Sequence, residues 1–320
     1  MKHLLDFEKP ISDLQHKLSE LREHTEDAEL KVDFDDEIRR MEEEIDKKRS
    51  EIYANLTAWQ RVQLARHPKR PHALDYISRS FSDFSELHGD RLFHDDHAIV
   101  AGFAMLGENR VMVVGTQKGR DTKENIKRNF GCAHPEGYRK ALRIMGMANR
   151  FGLPIVALID TAGAYPGVAA EERHIAKAIA INLREMTLFQ VPMISVVIGE
   201  GGSGGAIGIG VSDRVLILEN AYYSVISPEG CAAILWKDRD AAPQAAEALK
   251  ITAKDLLELE LVDEVVPEPL GGAHNDHSAM ADTLREVLLR NLEELRQIDP
   301  EERLKQRYQK YRRHGKFIEE

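Results

Sequence analysis

Apolar positions in the first sixty residues recur at the spacing of amphipathic helices, with charged residues between them. The two apolar stripes comprise Ile11, Leu14, Leu18 and Leu21, followed by Ile38, Met41, Ile45 and Ile52. This spacing predicts two helices. Each stripe is narrow, so neither helix can bury its apolar side alone. The pair either packs on its own domain or forms an arm that docks on another subunit.

From about Phe84 onward, short apolar runs alternate with glycine-rich turns and helical patterns. The predicted strands are Ala98 to Leu106, Arg110 to Gly115, Pro154 to Ile159, Met193 to Ile198 and Val215 to Leu218. The predicted helices between them are Pro135 to Phe151 and about Ala169 to Phe189. A turn at residues 107–109 joins the first two strands. The alternation of strand and helix predicts an α/β fold with a mainly parallel sheet and right-handed crossovers.

The last seventy residues are predicted to be mostly helical. Leu284, Val287, Leu288 and Leu295 form one apolar stripe. The segment Pro267 to His277 is rich in proline, glycine and polar residues, which is typical of a linker. The highly charged segment Arg303 to Glu320 is predicted to be a surface helix or a frayed tail.

Charge and cysteine content exclude several classes of protein. The formal net charge is −10, and such an acidic chain is a poor general binder of nucleic acid. No apolar run is long enough to cross a membrane, and the charged N-terminus does not match a secretory signal. With Cys132 and Cys231 as the two cysteines, a four-cysteine zinc site within the chain is impossible. We therefore expect no membrane, nucleic-acid or metal site, and a cytoplasmic location.

Two glycine-rich turns, each between a buried strand and a helix, are the strongest candidates for chemistry. The first is Asp160 to Gly167 and the second is Glu200 to Ala206. Amide N–H groups at such turns and at helix N-termini have no partner within the helix and carry positive partial charge. Glycine also lets a ligand approach the main chain closely. The turns are therefore predicted to donate hydrogen bonds to a negatively charged oxygen.

Other interpretations of the second turn stay open at the level of the sequence. Gly199 to Gly204 fits a dinucleotide-binding loop, with Glu219 as its acid. The segment around Ser203 also matches the nucleophile elbow of a serine hydrolase, for which Asp263 and His274 would complete a triad. The glycines could instead serve only close packing. A phosphate-binding P-loop is excluded because neither turn contains the required lysine.

Three further groups of residues are weaker candidates. His94 to His97 could hold a metal ion, but the cluster immediately precedes a strand and is better explained as a solvated turn. Glu200 could position another group. A cluster of cations could receive a phosphorylated cofactor or an acidic partner, or could form ordinary solvated surfaces; it comprises Lys118, Arg120, Lys123, Lys127, Arg128, Arg139, Lys140 and Arg143.

Several long motifs resemble the carboxyltransferase α subunit of bacterial acetyl-CoA carboxylase. They are Leu5 to Ile11, His134 to Ala141, Ile159 to Gly167, Gly199 to Ala206 and Ala221 to Ala232. The resemblance covers essentially the whole chain. It implies a crotonase-like fold of the ClpP/crotonase superfamily, a spiral of ββα units with an N-terminal helical extension. The expected division is a docking extension at residues 1–60, a carboxyltransferase domain at 61–296 and a charged tail at 297–320.

The resemblance also implies partners and cofactors. The chain would work with a β subunit in an α2β2 assembly, and that subunit would carry zinc on four cysteines. Biotin would be held on a biotin carboxyl carrier protein, and ATP would be used by a separate biotin carboxylase. The implied reaction moves the carboxyl group of carboxybiotin to acetyl-CoA, a CoA thioester, and gives malonyl-CoA for fatty acid biosynthesis. Another acyl-CoA such as propionyl-CoA differs by one methylene, which a pocket discriminates weakly.

The site residues implied by this resemblance all lie in the two glycine-rich turns. The expected catalytic donors are the backbone amides of Gly163, Ala164, Gly204 and Gly205. The residues expected on the carboxybiotin side are Gly201, Gly202, Ser203 and Tyr165. Negative charge on the enolate and ureido oxygens would be stabilised by these amides, and freed biotin would take the proton of the acetyl methyl group.

Overall fold

One mixed sheet forms the centre of the protein. The computed structural model describes residues 4–26 and 35–315. Within these ranges the strands are β1 (Ser82–Glu86), β2 (Ile99–Leu106), β3 (Asn109–Thr116), β4 (Ile155–Thr161), β5 (Met193–Gly202), β6 (Arg214–Leu218), β7 (Tyr222–Ser224) and β8 (Glu264–Val266). All of the predicted strands are confirmed. Most differ by one or two residues at their ends, and β5 continues four residues beyond its predicted end at Ile198.

The strand order brings the carboxyl ends of β4 and β5 side by side. The order is β1-β2-β3-β4-β5-β6-β8, and β7 pairs with the last residues of β5. Strands β1, β2 and β3 pair antiparallel, and the other pairs among the described strands are parallel. The predicted hairpin and the mainly parallel sheet are therefore confirmed. Both glycine-rich segments therefore begin at the carboxyl ends of the two adjacent strands β4 and β5.

Helices cover both faces of the sheet. In the described residues they are α1 (Lys9–Glu26), α2 (Asp35–Ala54), α3 (Ala58–Ala65), α4 (Ala73–Ser80), α5 (Thr122–Lys127), α6 (Pro135–Phe151), α7 (Val168–Glu172), α8 (Ile175–Leu188), α9 (Ser203–Gly210), α10 (Pro228–Leu235), α11 (Ala242–Ala248), α12 (Ala253–Glu258), α13 (His277–Arg296) and α14 (Pro300–Arg312). None of them combines the length and the apolar character needed to cross a membrane.

Strands β4 and β5 run through the middle of the core. Every residue of both strands is buried. Helix α9 packs on both strands, α6 packs on β2 and β3, and α13 packs on β5. Burial on two faces explains why these strands are continuous apolar runs in the sequence.

The N-terminal helices α1 and α2 pack against each other and against the rest of the chain. Their apolar stripes form a cluster that includes Leu64 of α3. The hydroxyl of Tyr53 donates to Glu8 at 2.6 Å, and His274 lies 3.6 Å from the same carboxylate oxygen. The pair thus has contacts of its own with the domain. Its role as a docking arm stays a prediction.

The helix predicted at about Ala169 to Phe189 is wrong at its start, because the chain breaks it in two. Helix α7 ends at Glu172, and α8 begins at Ile175 after His174, whose φ of 64° is left-handed. Between them, Arg173 donates to both carboxylate oxygens of Glu136 on α6. This contact lies outside the helical periodicity, so the pattern could not predict the break.

Two C-terminal predictions also need correction. The segment predicted as a linker, Pro267 to His277, is anchored by Glu268, whose buried carboxylate accepts hydrogen bonds from Arg70 and from the Ala273 amide. The helical prediction for the charged end is confirmed by α14, but α14 is not a frayed tail. Arg307, on the side of α14 that faces the core, donates to Asp213 at 2.7 and 2.9 Å. Residues 316–320 lie outside the described part.

We predict that Glu268 makes stability depend on acid pH. Burial alone would raise the pKa of Glu268, but Arg70 and the neighbouring donors lower it to about 2. A carboxyl group with a lowered pKa stabilises the fold above its unfolded pKa, and this stabilisation is lost as the pH falls towards the folded value. The stability advantage of the wild type over Glu268→Gln should shrink by about 2 kcal/mol between pH 5 and pH 3. Urea unfolding at both pH values measures it.

The matched control is Glu301→Gln, which changes an exposed carboxylate in the first turn of α14. Its unfolding curve should stay close to that of the wild type at both pH values. A constant difference between Glu268→Gln and the wild type across this range would contradict the assignment.

Candidate functional site

The two glycine-rich segments touch through their main chains at the ends of β4 and β5. Thr161 pairs with Gly201 in the sheet. A Cβ atom on Gly202 would lie 2.1 Å from the carbonyl oxygen of Ala162, and one on Gly205 would lie 2.4 Å from the carbonyl carbon of Gly163. Real Cβ atoms do not approach so closely. The contact therefore requires glycine at both positions.

The second segment contains no separate turn, which corrects the sequence prediction. Strand β5 continues to Gly202, and helix α9 begins directly at Ser203, whose φ is 49°. Gly204 and Gly205 thus occupy the first turn of α9, where amides have no acceptor within the helix. The positive end of the helix dipole is at the same place. This arrangement suits a negatively charged oxygen.

In the first segment the two expected donors differ. The amide of Gly163 donates to the Thr161 hydroxyl at 3.2 Å, and that hydroxyl donates to the Gly163 carbonyl at 2.8 Å. This internal pairing corrects the expectation that the Gly163 amide faces outward. The nitrogen of Ala164 would lie 2.7 Å from a Cβ on Gly205, which places it beside the N-terminus of α9.

The other expected site residues flank this contact. Gly201 and Gly202 lie in the ladder between β5 and β7. Tyr165 packs its ring on His134, with ring centroids 4.0 Å apart. Ser203 and Gly204 line a mainly apolar cavity of about 430 Å³. The other residues along its wall include Leu183, Ile207, Val211, Tyr223, Val225, Leu256, Leu261, Tyr311 and His314.

A buried ion-pair cluster lies directly behind both segments. The ammonium of Lys118 lies 2.7 Å from Oδ1 of Asp160 and 2.7 Å from Oε1 of Glu200. The amide of Glu200 also donates to Oδ1 of Asp160, at 2.9 Å. Asp160 and Glu200 are the residues that begin the two glycine-rich segments, so one lysine connects both starting points.

The cluster extends from Glu200 towards the surface. Arg66 donates through Nε to Glu200 at 2.7 Å and through Nη1 to Glu229 at 2.5 Å. The hydroxyl of Tyr222 donates to Oε2 of Glu200 at 2.5 Å. Each oxygen of Glu200 therefore has at least one donor, which a buried carboxylate needs.

The surroundings keep these groups ionised. Burial alone would raise the pKa of Asp160, but Lys118 and the hydrogen bond with His72 hold it well below its usual range. Burial would also raise the pKa of Glu200, but the charges of Lys118 and Arg66 outweigh this effect and lower the pKa. The two carboxylates in turn raise the pKa of Lys118 despite its burial. Glu200 is thus poorly suited to accept a proton.

Sequence reasoning named Asp160 only as the first residue of a glycine-rich turn, did not identify Arg66, and placed Lys118 in a cluster of cations. A usable signal existed, because Asp160 and Glu200 each interrupt an otherwise apolar buried strand. Charged residues in such a position need a partner of opposite charge. The sequence does not show which cation supplies it, since Lys118 is far from both along the chain.

Most of the predicted cation cluster binds nearby acids or carbonyl groups and does not form an open anion site. The cations held in this way are Lys118, Arg120, Arg128, Arg139, Lys140 and Arg143. Lys123 and Lys127 on α5 are exposed. The segment His94 to His97, considered above as a metal site, takes part in these contacts. Asp95 binds Lys140, and Asp96 accepts a hydrogen bond from the His134 amide. The solvated-turn interpretation is wrong for Asp96, which is 3% exposed.

The fold does not bring together the residues that the rival catalytic interpretations require. Ser203 lines the apolar cavity, whereas His274 packs on the ring of His67 and lines a different cavity. Asp263 binds Lys310, so no serine triad forms from these three residues. Residues 199–202 lie within β5 and not in a loop, which removes the dinucleotide-binding interpretation. Among residues 4–26 and 35–315, no group of three or more His, Cys, Asp and Glu could hold a metal ion.

Comparison with known sequences gives matches along the whole chain. A family model described as "Acetyl co-enzyme A carboxylase carboxyltransferase-like" matches residues 4–315. The acetyl-coenzyme A carboxylase carboxyl transferase subunit alpha of Geobacter metallireducens is 57% identical over 99% of both chains. The subunit of the same name from Thermus thermophilus is 56% identical over 98% of this chain and 99% of its own length.

Solved structures with low sequence identity share the fold. The transcarboxylase 12S structure has a TM-score of 0.54 at 20% identity, and the match covers 68% of this chain and 42% of that one. The β subunit of geranyl-CoA carboxylase from P. aeruginosa has a TM-score of 0.55 at 15% identity, with 74% and 44% covered. The chain thus spans about two fifths of the length of these proteins. The predicted α/β, crotonase-like fold class is confirmed.

We predict opposite effects for two glycine-to-alanine substitutions. Gly205→Ala should lower the free energy of unfolding by about 1–3 kcal/mol, because its Cβ would collide with the main chain of Gly163. The control Gly146→Ala adds a Cβ with nothing within 4 Å, in the middle of α6. It should leave stability unchanged or raise it by about 0.5–1 kcal/mol. Equal effects in urea unfolding would refute the close contact.

Proposed function

The chain belongs to the family of acetyl-CoA carboxylase carboxyltransferase α subunits, and from this premise we propose how it contributes to catalysis. It transfers a carboxyl group from carboxybiotin, carried on a separate protein, to acetyl-CoA and forms malonyl-CoA for fatty acid biosynthesis. The observation that supports this most directly is the contact of Gly205 with Gly163 and Ala164. It joins two sets of main-chain donors at one place.

The chemistry of carboxyl transfer matches such donors. Carbon–carbon bond formation at the acetyl group requires negative charge on the thioester oxygen, and the carboxyl donor develops negative charge on its ureido oxygen. Fixed amides stabilise such charge without changing their protonation state, and one lost donor typically costs about 10²–10³ in rate. We assign the ureido oxygen to the amides of Ala164, Gly204 and Gly205. Gly163 would join them only if Thr161 releases its amide.

The cavity beside these amides suits a biotin group. Carboxybiotin supplies the carboxyl group when its carrier is bound. Its fused ring is largely apolar with one polar edge, and the wall of the cavity is mainly apolar and includes Ser203 and Gly204. Gly201 and Gly202 pair with Tyr223 and Ser224 of its wall, and Tyr165 follows Ala164 in the first segment. These residues would hold and orient the ring and exclude water from it.

Neither resident candidate base is placed for proton transfer. Glu200 is held ionised by Lys118, Arg66 and Tyr222, and its low pKa makes it a weak proton acceptor. The fold does not bring Ser203 together with His274, its predicted partner. The role of this chain is therefore to position and stabilise, and proton removal from the acetyl methyl group needs a group that another component supplies.

The name of the relatives implies a multi-subunit enzyme, and the finer assignments are ours. We propose a β subunit that carries zinc and binds most of the CoA thioester, in an α2β2 assembly. A biotin carboxyl carrier protein and a biotin carboxylase that uses ATP would complete the system. Residues 1–60 would dock a partner, residues 61–296 would form the carboxyltransferase domain, and residues 297–320 the charged end.

We expect the purified chain to make malonyl-CoA only together with the β subunit. The test mixes both subunits with a carboxybiotin donor and acetyl-CoA and measures malonyl-CoA, with each subunit alone as the control. Propionyl-CoA is run in parallel to measure acyl preference. A well-folded complex that forms no product from either thioester would defeat the proposed function.

We also expect Gly205→Val to abolish turnover in the assembled complex, because its side chain would enter the space between the two sets of amides. Gly146→Ala is the control and should keep kcat within about threefold of the wild type. Assembly is checked by mass measurement of the complex. Normal turnover in Gly205→Val would rule out the assigned amides.

A further inference from the structure

We infer that Lys118 is a positioning residue, whose ammonium group fixes the distance and angle between the two amide-bearing segments. The inference rests on the proposed function, since it concerns the residues assigned there. Lys118 itself lies after β3, outside both segments. Its role would be exerted through Asp160 and Glu200, and not by contact with a substrate.

Lys118 can influence the amides of both segments because each carboxylate that it binds lies close to them along the chain. Asp160 is followed within four residues by Ala164, and Glu200 is followed within five residues by Gly205. Lys118 Nζ binds one oxygen of each carboxylate at 2.7 Å. The side chains of Asp160 and Glu200 are 2% and 8% exposed, so little solvent reaches them. A displacement of either carboxylate would be transmitted directly to the adjoining amides.

Charge explains why a cation is needed between them. Two buried carboxylates that share one partner repel each other strongly in surroundings of low polarity. Without a cation, one of them would take up a proton or move away. The hydrogen bond from the Glu200 amide to Asp160 joins the two strand ends, and it would weaken in either case.

The other groups around the carboxylates hold the remaining oxygen of each. His72 Nδ1 lies 3.2 Å from Oδ2 of Asp160, whereas Arg66 and Tyr222 bind Oε2 of Glu200. Of the two carboxylates Asp160 and Glu200, each of these groups contacts only one. Lys118 is shared by both, so its effect on the relative position of the segments is distinct from theirs.

The stem of Lys118 is itself held in place. Gly131 has a φ of 79°, and a Cβ on it would lie 2.8 Å from Cγ of Lys118 and 3.3 Å from the carbonyl oxygen of Asp160. The main chain thus closes over the lysine side chain. This packing limits the positions that the ammonium group can take.

The test compares variants in the complex with the β subunit. Lys118→Met keeps an unbranched apolar stem of nearly the same length and removes the charged ammonium group. It should lower kcat by about 10²-fold or more, while KM for acetyl-CoA stays within about threefold. Lys118→Arg restores a cation and should recover at least tenfold of the lost kcat. Hydrogen exchange of the amides at residues 162–165 and 203–206 should be faster in Lys118→Met.

Arg307→Leu is the matched control, because Arg307 is also a buried cation paired with an aspartate, Asp213. Asp213 follows α9 and precedes β6, so this pair lies at the opposite end of the strands. The control should unfold more easily than the wild type but keep kcat per folded complex within about threefold. Its amides at residues 162–165 and 203–206 should exchange at the wild-type rate.

Unchanged kcat and unchanged exchange in Lys118→Met would overturn the inference, as would equal losses in Lys118→Met and Arg307→Leu. If Lys118→Met does not fold, Asp160→Asn decides instead. Its amide oxygen can still accept from Glu200 but has no charge for Lys118, and kcat should fall at least tenfold; a wild-type kcat overturns the inference. An inactive wild-type complex would refute the proposed function, and the exchange rates would still decide the role of Lys118.

Discussion

The main-chain contact between Gly205 and the Gly163–Ala164 peptide is the constraint on which the site depends. It brings the first turn of α9 against the segment that leaves β4, so amides from two distant parts of the chain lie together. Close approach of this kind is possible only where no Cβ intervenes. The parallel pairing of β4 and β5 supplies the framework, because it aligns their carboxyl ends.

Behind this contact, the protein buries charge where a core of apolar residues would be simpler. Asp160, Glu200 and Lys118 together cost desolvation energy that apolar residues would not. Removal of Lys118 would leave the two buried carboxylates without the cation that they share, which makes the arrangement sensitive to change. We interpret this as a consequence of placing the carboxyl ends of β4 and β5 side by side. Carboxylates at these ends can accept hydrogen bonds from main-chain amides, as Asp160 does from the amide of Glu200.

Prediction from the sequence succeeded for features that depend on neighbours along the chain. The strands at β2, β3, β4 and β5 were predicted because they are apolar runs bounded by turn residues. Helix α6 was predicted from its periodicity. The break at His174, the anchoring of Glu268 and the buried face of α14 were missed, because each depends on a side chain from elsewhere in the fold, such as Glu136, Arg70 or Asp213.

The sequence by itself determined the order of strands and helices and the two glycine-rich segments with their motifs. It also established the family through long ordered matches. Only the tertiary structure decided that Gly205 meets Gly163, that Thr161 engages the Gly163 amide, and that Lys118 joins Asp160 to Glu200. The physical reason is that local spacing limits what each segment can form, whereas ion pairs and main-chain contacts depend on distances across the sheet that no single segment contains.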